Sequence, residues 1–139
     1  MVYRKGARLE LEVVRYLNAH GGAAVRVAGS RGPVDVVGYA PGLRSHVAIQ
    51  CKVRRSDVLY VEAEEMERLR GFARRLRARP FVAWKPSHRR TGVTKNILLL
   101  EPECFSRTKH GNYRVGLREA LEACVSLDEL VTRRLLGVL

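Results

Sequence analysis

Acidic residues are missing from the middle of this chain. From Arg68 to Lys95 ten basic side chains occur and not one Asp or Glu. Long apolar runs are missing too: nothing approaches the roughly 18 consecutive apolar residues of a membrane-spanning helix. Met-Val-Tyr-Arg-Lys-Gly-Ala-Arg opens the chain with no apolar signal core behind it. An intracellular, cytoplasmic protein is expected. Cysteine is scarce. The 3 present, Cys51, Cys104 and Cys124, form no Cys-x-x-Cys pair. An odd count at wide spacing argues against a disulfide framework and a zinc knuckle. His20, His46, His88 and His110 are scattered without metal-ligand spacing, and no internal repeat or Walker-type loop is visible.

What is present is a core and a charge. Of 139 residues 46% are hydrophobic, enough for one packed domain covering 1–139 and too many for a disordered basic tail. The formal net charge is +12. It is unevenly placed: residues 1–100 hold 20 basic and 8 acidic side chains, residues 101–139 hold 6 of each. Such a one-sided surface repels itself, and a phosphate backbone relieves that repulsion through counterion release. DNA or RNA is therefore favoured over an acidic membrane surface. The basic stretch over 62–78 begins with Glu62, Glu64, Glu65 and Glu67, which oppose anionic lipid.

Periodicity sets out the elements. Leu9, Val13 and Leu17 make one apolar stripe and predict a helix over 4–20, stopped by Gly21-Gly22. Val25 and Val27 alternate with Arg26 in a strand over 23–28. A turn-rich loop, Gly29 to Pro33, leads to strands over 34–39 and 46–53 that read as a hairpin around Pro41-Gly42. A second helix is expected over 62–78, with Met66, Leu69, Phe72 or Ala73, and Leu76 buried. A short apolar strand at 81–84 contains Trp84. A basic loop over 85–94 and a strand over 96–100 follow. Ser126-Leu127-Asp128-Glu129 is a capping box, so a last helix runs from there to about Leu136. The order α-β-β-β-α-β-β-α is a mixed α/β sheet domain.

One constellation has chemistry in it. Glu10 lies on the first helix, Asp35 follows Gly32-Pro33-Val34 at the start of a strand, and Gln50-Cys51-Lys52 lies on the next strand. Residues i and i+2 of a strand share a face, so Gln50 and Lys52 project together and Cys51 projects into the packing. A hairpin can bring Asp35 beside them. Carboxylate and amide oxygens hold one face of a Mg²⁺ ion, and Glu10 binds it through water or holds a second one. The metal polarises a phosphoryl oxygen and acidifies water, while the Lys52 ammonium orients that water or stabilises transition-state charge. Each residue alone is ordinary: a strand-start Asp is usually a turn residue and a helix Glu is usually solvated. Their order inside a strongly basic domain gives them weight.

In these residues the chain resembles the archaeal Holliday junction resolvases of the Hjc type, within the PD-(D/E)xK nucleases. Arg4-Lys5-Gly6 with Glu10, Ala24 to Ser30, Pro33-Val34-Asp35, Gln50-Cys51-Lys52, Leu59-Tyr60-Val61, Gly111-Asn112-Tyr113 and Ser126 to Leu130 follow the family's order. The resemblance implies a restriction-endonuclease-like mixed β-sheet flanked by helices. It implies a homodimeric endonuclease, dependent on Mg²⁺ (with Mn²⁺ as a substitute), that makes paired nicks in four-way DNA junctions. Glu10, Ser30, Asp35, Gln50 and Lys52 would be its catalytic residues, with Glu10, Asp35 and Gln50 at the metal. Arg4, Lys5, Arg8, Arg26, Arg31, Arg54 and Arg55 would meet the DNA backbone. Family members also associate with the sliding clamp, but no clear clamp-binding box is visible.

The departure is Gln50, where the family has Glu. Gln keeps one oxygen donor and loses a charge. The site either still works, with Glu10 and Asp35 supplying charge, or is weakened, leaving a junction-binding paralogue. A related nuclease of another role, such as a restriction or flap-cutting enzyme, is a third reading. Tyr60 is either core or beside the site, and Trp84 is assigned to the core.

Overall fold

A computed structural model describes residues 5–29, 32–86 and 97–132. The expected DNA-facing or catalytic residues Arg4, Ser30 and Arg31 lie outside these residues. So do most of the basic loop and residues 133–136 of the span expected for the last helix.

Helix α1 (Lys5–Ala19) carries the Leu9, Val13 and Leu17 stripe, and all three side chains are buried. Strands β1 (Ala23–Arg26), β2 (Val36–Ala40) and β3 (Ser45–Arg54) form an antiparallel meander. The turn at 41–44 closes the expected hairpin between β2 and β3. β4 (Val58–Val61) leaves this sheet, and α2 (Ala63–Leu76) brings the chain back to β5 (Ala78–Pro86), which lies parallel to β3. β6 (Leu98–Leu100) is antiparallel to β5 and completes the order β1-β2-β3-β5-β6. β7 (Ser106–Arg107) and β8 (Tyr113–Gly116) join β4 in a second sheet of order β4-β8-β7. Helices α3 (Leu117–Ala123) and α4 (Leu127–Val131) end the described chain. The mixed α/β class read from the sequence is the class observed.

Alternation along β3 distributes the core. Val47, Ile49 and Cys51 join Leu9, Val13 and Leu17 in a buried cluster on the α1 side. Ala48 belongs to the opposite cluster, with Met66, Leu69 and Ala73 of α2 and with Trp84. Gln50 and Lys52 follow Ala48 at two-residue steps and so face α2.

Several elements differ from the sequence expectations. Leu76 is 41% exposed rather than buried, because Arg77 adopts a left-handed conformation (φ 55°) that ends α2 there. Arg77 donates its backbone N–H to the Ala73 and Arg74 carbonyls. β5 starts before Pro80, where it pairs with β3 alone among the described residues; β6 pairs only with Val82–Trp84. Proline is tolerated at such an edge. The second sheet and α3 were not expected. Ser126 caps α4 as its box predicts, accepting the Glu129 backbone N–H at 3.1 Å.

Candidate active site

Three chain segments build the site. Asp35 lies one position beyond the last β2–β3 pair, Val36–Ile49, which sets it opposite Gln50. Its backbone N–H donates to the Ile49 carbonyl at 2.9 Å, and its own carbonyl accepts from Val27 N–H at 2.9 Å. Its side chain is fixed as well: Asp35 Oδ2 accepts the Cys51 backbone N–H at 2.8 Å. The Asp35 carboxylate is therefore held between the two residues, Gln50 and Lys52, whose side chains share the α2 face. Cys51 points the other way and is buried.

From α1 comes Glu10, whose Oε1 accepts from Arg26 Nε at 3.0 Å. From α2 comes Glu65, which sequence reasoning did not select. Lys52 Nζ donates to Glu65 Oε2 at 2.5 Å, and Gln50 Nε2 donates to the same oxygen at 3.4 Å. The pair is mostly enclosed, with Lys52 and Glu65 side chains 12% and 20% exposed. The signal for Glu65 was its spacing. It precedes buried Leu69 by four residues and so lies on the inward side of α2, unlike exposed Glu64 and Glu67.

Electrostatics link these carboxylates. Burial pushes the Asp35 carboxyl above its ordinary range, against the Cys51 N–H and the Lys52 charge; the Glu65 charge raises it further and Arg26 lowers it. Burial also raises the Glu10 carboxyl, the Asp35 charge adds to the rise, and Arg26 opposes it. Asp35 thus feels one carboxylate from each helix. Burial pushes the Cys51 thiol well up, and the Asp35 and Glu10 charges push the same way, so Cys51 is a packing group rather than a nucleophile.

Among the described residues no three His, Cys, Asp or Glu side chains are already gathered around a common metal position. The donors are nonetheless of one kind, carboxylate and amide oxygen. That set suits a hard divalent cation rather than zinc. The crowding of negative charge on Asp35 is what such a cation would relieve.

Around the site the basic residues take different places. Lys5 is the first residue of α1, Arg8 is exposed one turn further, and Arg26 is exposed on β1. Arg54 ends β3, with Arg55 exposed beyond it. Trp84 is in the core, and its Nε1 donates to the Arg54 carbonyl at 3.4 Å. Tyr60 is 58% exposed on β4, so it is not core.

A basic mixed-sheet domain with Asp35 and Lys52 at the open end of its central hairpin belongs among the metal-dependent nucleases. The model of one such family, "Archaeal holliday junction resolvase (hjc)", matches residues 1–136, and the chain belongs to that family. A relative from Archaeoglobus fulgidus named crossover junction endodeoxyribonuclease Hjc is 40% identical over 118 residues, 84% of this chain and 87% of that protein. A relative of the same name from Methanocaldococcus jannaschii is 36% identical over 84 residues, 60% of each chain. The solved structure of an Archaeoglobus fulgidus Hjc, titled a Holliday junction resolvase from an archaeal hyperthermophile, superposes with a TM-score of 0.77. That superposition covers 94% of this chain and 98% of the other, at 28% identity.

Proposed function

We infer that this chain is a crossover junction endodeoxyribonuclease: it binds a four-way DNA junction and cuts phosphodiester bonds near the branch. The family match over nearly the whole chain carries this reading. The convergence of Asp35, Gln50 and Lys52 supports it with a site of suitable chemistry. Mg²⁺ is the proposed metal, with Mn²⁺ as its substitute. A divalent cation would polarise the phosphoryl group and acidify the attacking water.

Asp35 would be the central metal ligand, with its orientation set by the Cys51 amide. Gln50 would offer its amide oxygen and Glu10 its carboxylate. Lys52 would place an ammonium beside the attacked phosphate, where negative charge grows in the transition state. Ser30 is assigned a place near the scissile phosphate by family resemblance. Arg4, Lys5, Arg8, Arg26, Arg31, Arg54 and Arg55 would grip backbone phosphates and carry little sequence information. A homodimer fits the substrate, because a two-fold pair of sites can meet two strands of a junction with two-fold symmetry. A single domain is enough for all of this. Association with a sliding clamp rests on the family resemblance alone.

The test compares a labelled immobile four-way junction with linear duplex of the same sequence, in Mg²⁺ and in EDTA, for the natural protein and Asp35→Asn. Paired nicks near the branch that need both Mg²⁺ and Asp35 are the expected result. Tight junction binding with no nicks in Mg²⁺ or Mn²⁺ would identify a binding-only paralogue marked by Gln50.

A further inference from the structure

We propose that Glu65 supplies the metal site with the carboxylate that Gln50 does not, reaching it from α2 instead of from β3. This deepens the nuclease reading and rests on it.

The first observation is position. Glu65 Oε2 meets both Lys52 Nζ and Gln50 Nε2, the two side chains that flank Asp35 on that face of β3. No other carboxylate of α2 reaches them: Glu64 is paired with Arg68 on the outer surface, and Glu67 is exposed.

The second is charge balance. Among the described residues of the site, the carboxylates Glu10, Asp35 and Glu65 stand against the cations Arg26 and Lys52, and without Glu65 the count would be even, with no excess negative charge to attract a divalent cation. Glu65 provides that excess. Its charge already acts on Asp35.

The third is the identity of residue 50. A Gln amide donates toward Glu65, whereas a Glu at position 50 would set a second carboxylate against it. Gln50 and Glu65 therefore read as one pair: the strand residue is neutral, the helix residue supplies the charge, and the amide helps hold the helix carboxylate in place. In this pair Gln50 contributes an oxygen and an orienting N–H. Glu65 contributes the charge and a carboxylate that Lys52 holds until the metal is present.

The competing account is that Glu65 only orients Lys52. Metal binding and an exchange variant separate the two. The natural protein, Glu65→Gln, Gln50→Glu and the double variant Gln50→Glu/Glu65→Gln would be titrated with Mn²⁺. Free Mn²⁺ would be read by electron paramagnetic resonance, with and without bound junction, and Mg²⁺ would be tested as a competitor. Junction binding in EDTA and the thermal midpoint report the fold of each variant.

Glu65→Gln should weaken Mn²⁺ binding by about tenfold or more, since fewer ligand charges mean weaker binding of hard cations. The double variant should recover most of that loss, and Gln50→Glu alone should keep or raise affinity. Junction binding in EDTA should change little in all of them. Glu65→Gln with natural Mn²⁺ affinity but poor cleavage would overturn the proposal in favour of Lys52 orientation. So would a double variant that folds and recovers nothing, or a natural protein that binds no Mn²⁺ even on the junction. A natural protein that binds Mn²⁺ through Glu65 yet cuts no junction would overturn the nuclease reading and leave the metal site standing.

Discussion

The Asp35 carboxylate and the Cys51 backbone N–H are joined by a 2.8 Å hydrogen bond, which ties the proposed metal ligand to the middle residue of Gln50-Cys51-Lys52. This bond separates the chemical and structural roles of Asp35. Asp35→Asn keeps an acceptor for Cys51 and removes the charge. Asp35→Ala removes both and leaves a part-buried amide unpaired. Both variants should lose cleavage. Only Asp35→Ala should lose stability, by about 1–3 kcal/mol, the usual cost of an unsatisfied buried donor. Urea unfolding of the two variants in EDTA checks this. Equal destabilisation of both would mean that the bond does not hold the strand ends together.

The same carboxyl gives a pH dependence. Its pKa in the metal-free fold is raised above the ordinary 3.8, chiefly by burial. A raised carboxyl binds more protons folded than unfolded, so its stabilising contribution is full below 3.8 and is lost as pH rises through the folded value. Asp35→Asn lacks this loss. Its stability relative to the natural protein should therefore grow in EDTA as pH rises above the ordinary 3.8. Added Mg²⁺ or Mn²⁺ should reverse the order at neutral pH, because only the natural protein gains the metal's binding energy. Thermal midpoints across this range, with and without metal, measure both effects. A difference that shrinks with pH in EDTA would show that Asp35 is not raised.

Much of this arrangement was legible before the fold was known, and the reason is periodicity. Leu9, Val13 and Leu17 mark α1 because every fourth residue of a helix returns to one face. Gln50 and Lys52 share a face because strands alternate, and the short turn at 41–44 brings Asp35 to them. The second sheet had no such signal. β7 has two residues and β4 and β8 have four each, too few to display a period. Their pairing is decided by tertiary packing: Leu59, Val61, Tyr113 and Val115 share one face of β4 and β8 and are buried in the cluster with Met66, Leu69 and Trp84. Glu65 was hidden differently. It is one of four acidic residues at the start of α2, and its one distinguishing signal, a spacing of four before Leu69, was weak until Leu69 and Met66 were seen packed inward. The sequence pointed to Gln50 as a loss of charge, and the fold sets the Glu65 carboxylate beside it.

Gly38 is a point of close approach between β1 and β2. It pairs with Ala24 of β1, and a Cβ there would collide with the Ala23 carbonyl oxygen and meet Ala24 Cβ at 2.9 Å. Backbone cannot give way as a flexible side chain can, so Gly38→Ala should push β1 off β2 at a cost of about 1–3 kcal/mol. β1 carries Arg26, the partner of Glu10 at 3.0 Å. The variant should therefore also bind junction DNA less tightly, while its Mn²⁺ affinity falls less than that of Asp35→Asn. Unfolding and DNA titrations would show it. A variant as stable as the natural protein would mean that β1 can shift without penalty.

Arg55 tests the electrostatic part of recognition. Arg54 ends β3, its carbonyl accepts from buried Trp84, and Arg55 follows it exposed, three residues beyond Lys52. If the proposed DNA interface is right, exposed Arg55 meets a backbone phosphate. Neutralising a phosphate releases counterions, so the slope of log affinity against log salt changes by about 0.9 for each phosphate the protein no longer grips. Arg55→Ala should weaken junction and duplex binding alike, reduce the steepness of the salt dependence by about that amount, and leave the nick positions unchanged. Binding measured at several salt concentrations decides the matter. An unchanged slope would take Arg55 out of the DNA interface, and a shifted nick position would make it a determinant of where the branch sits rather than a simple phosphate grip.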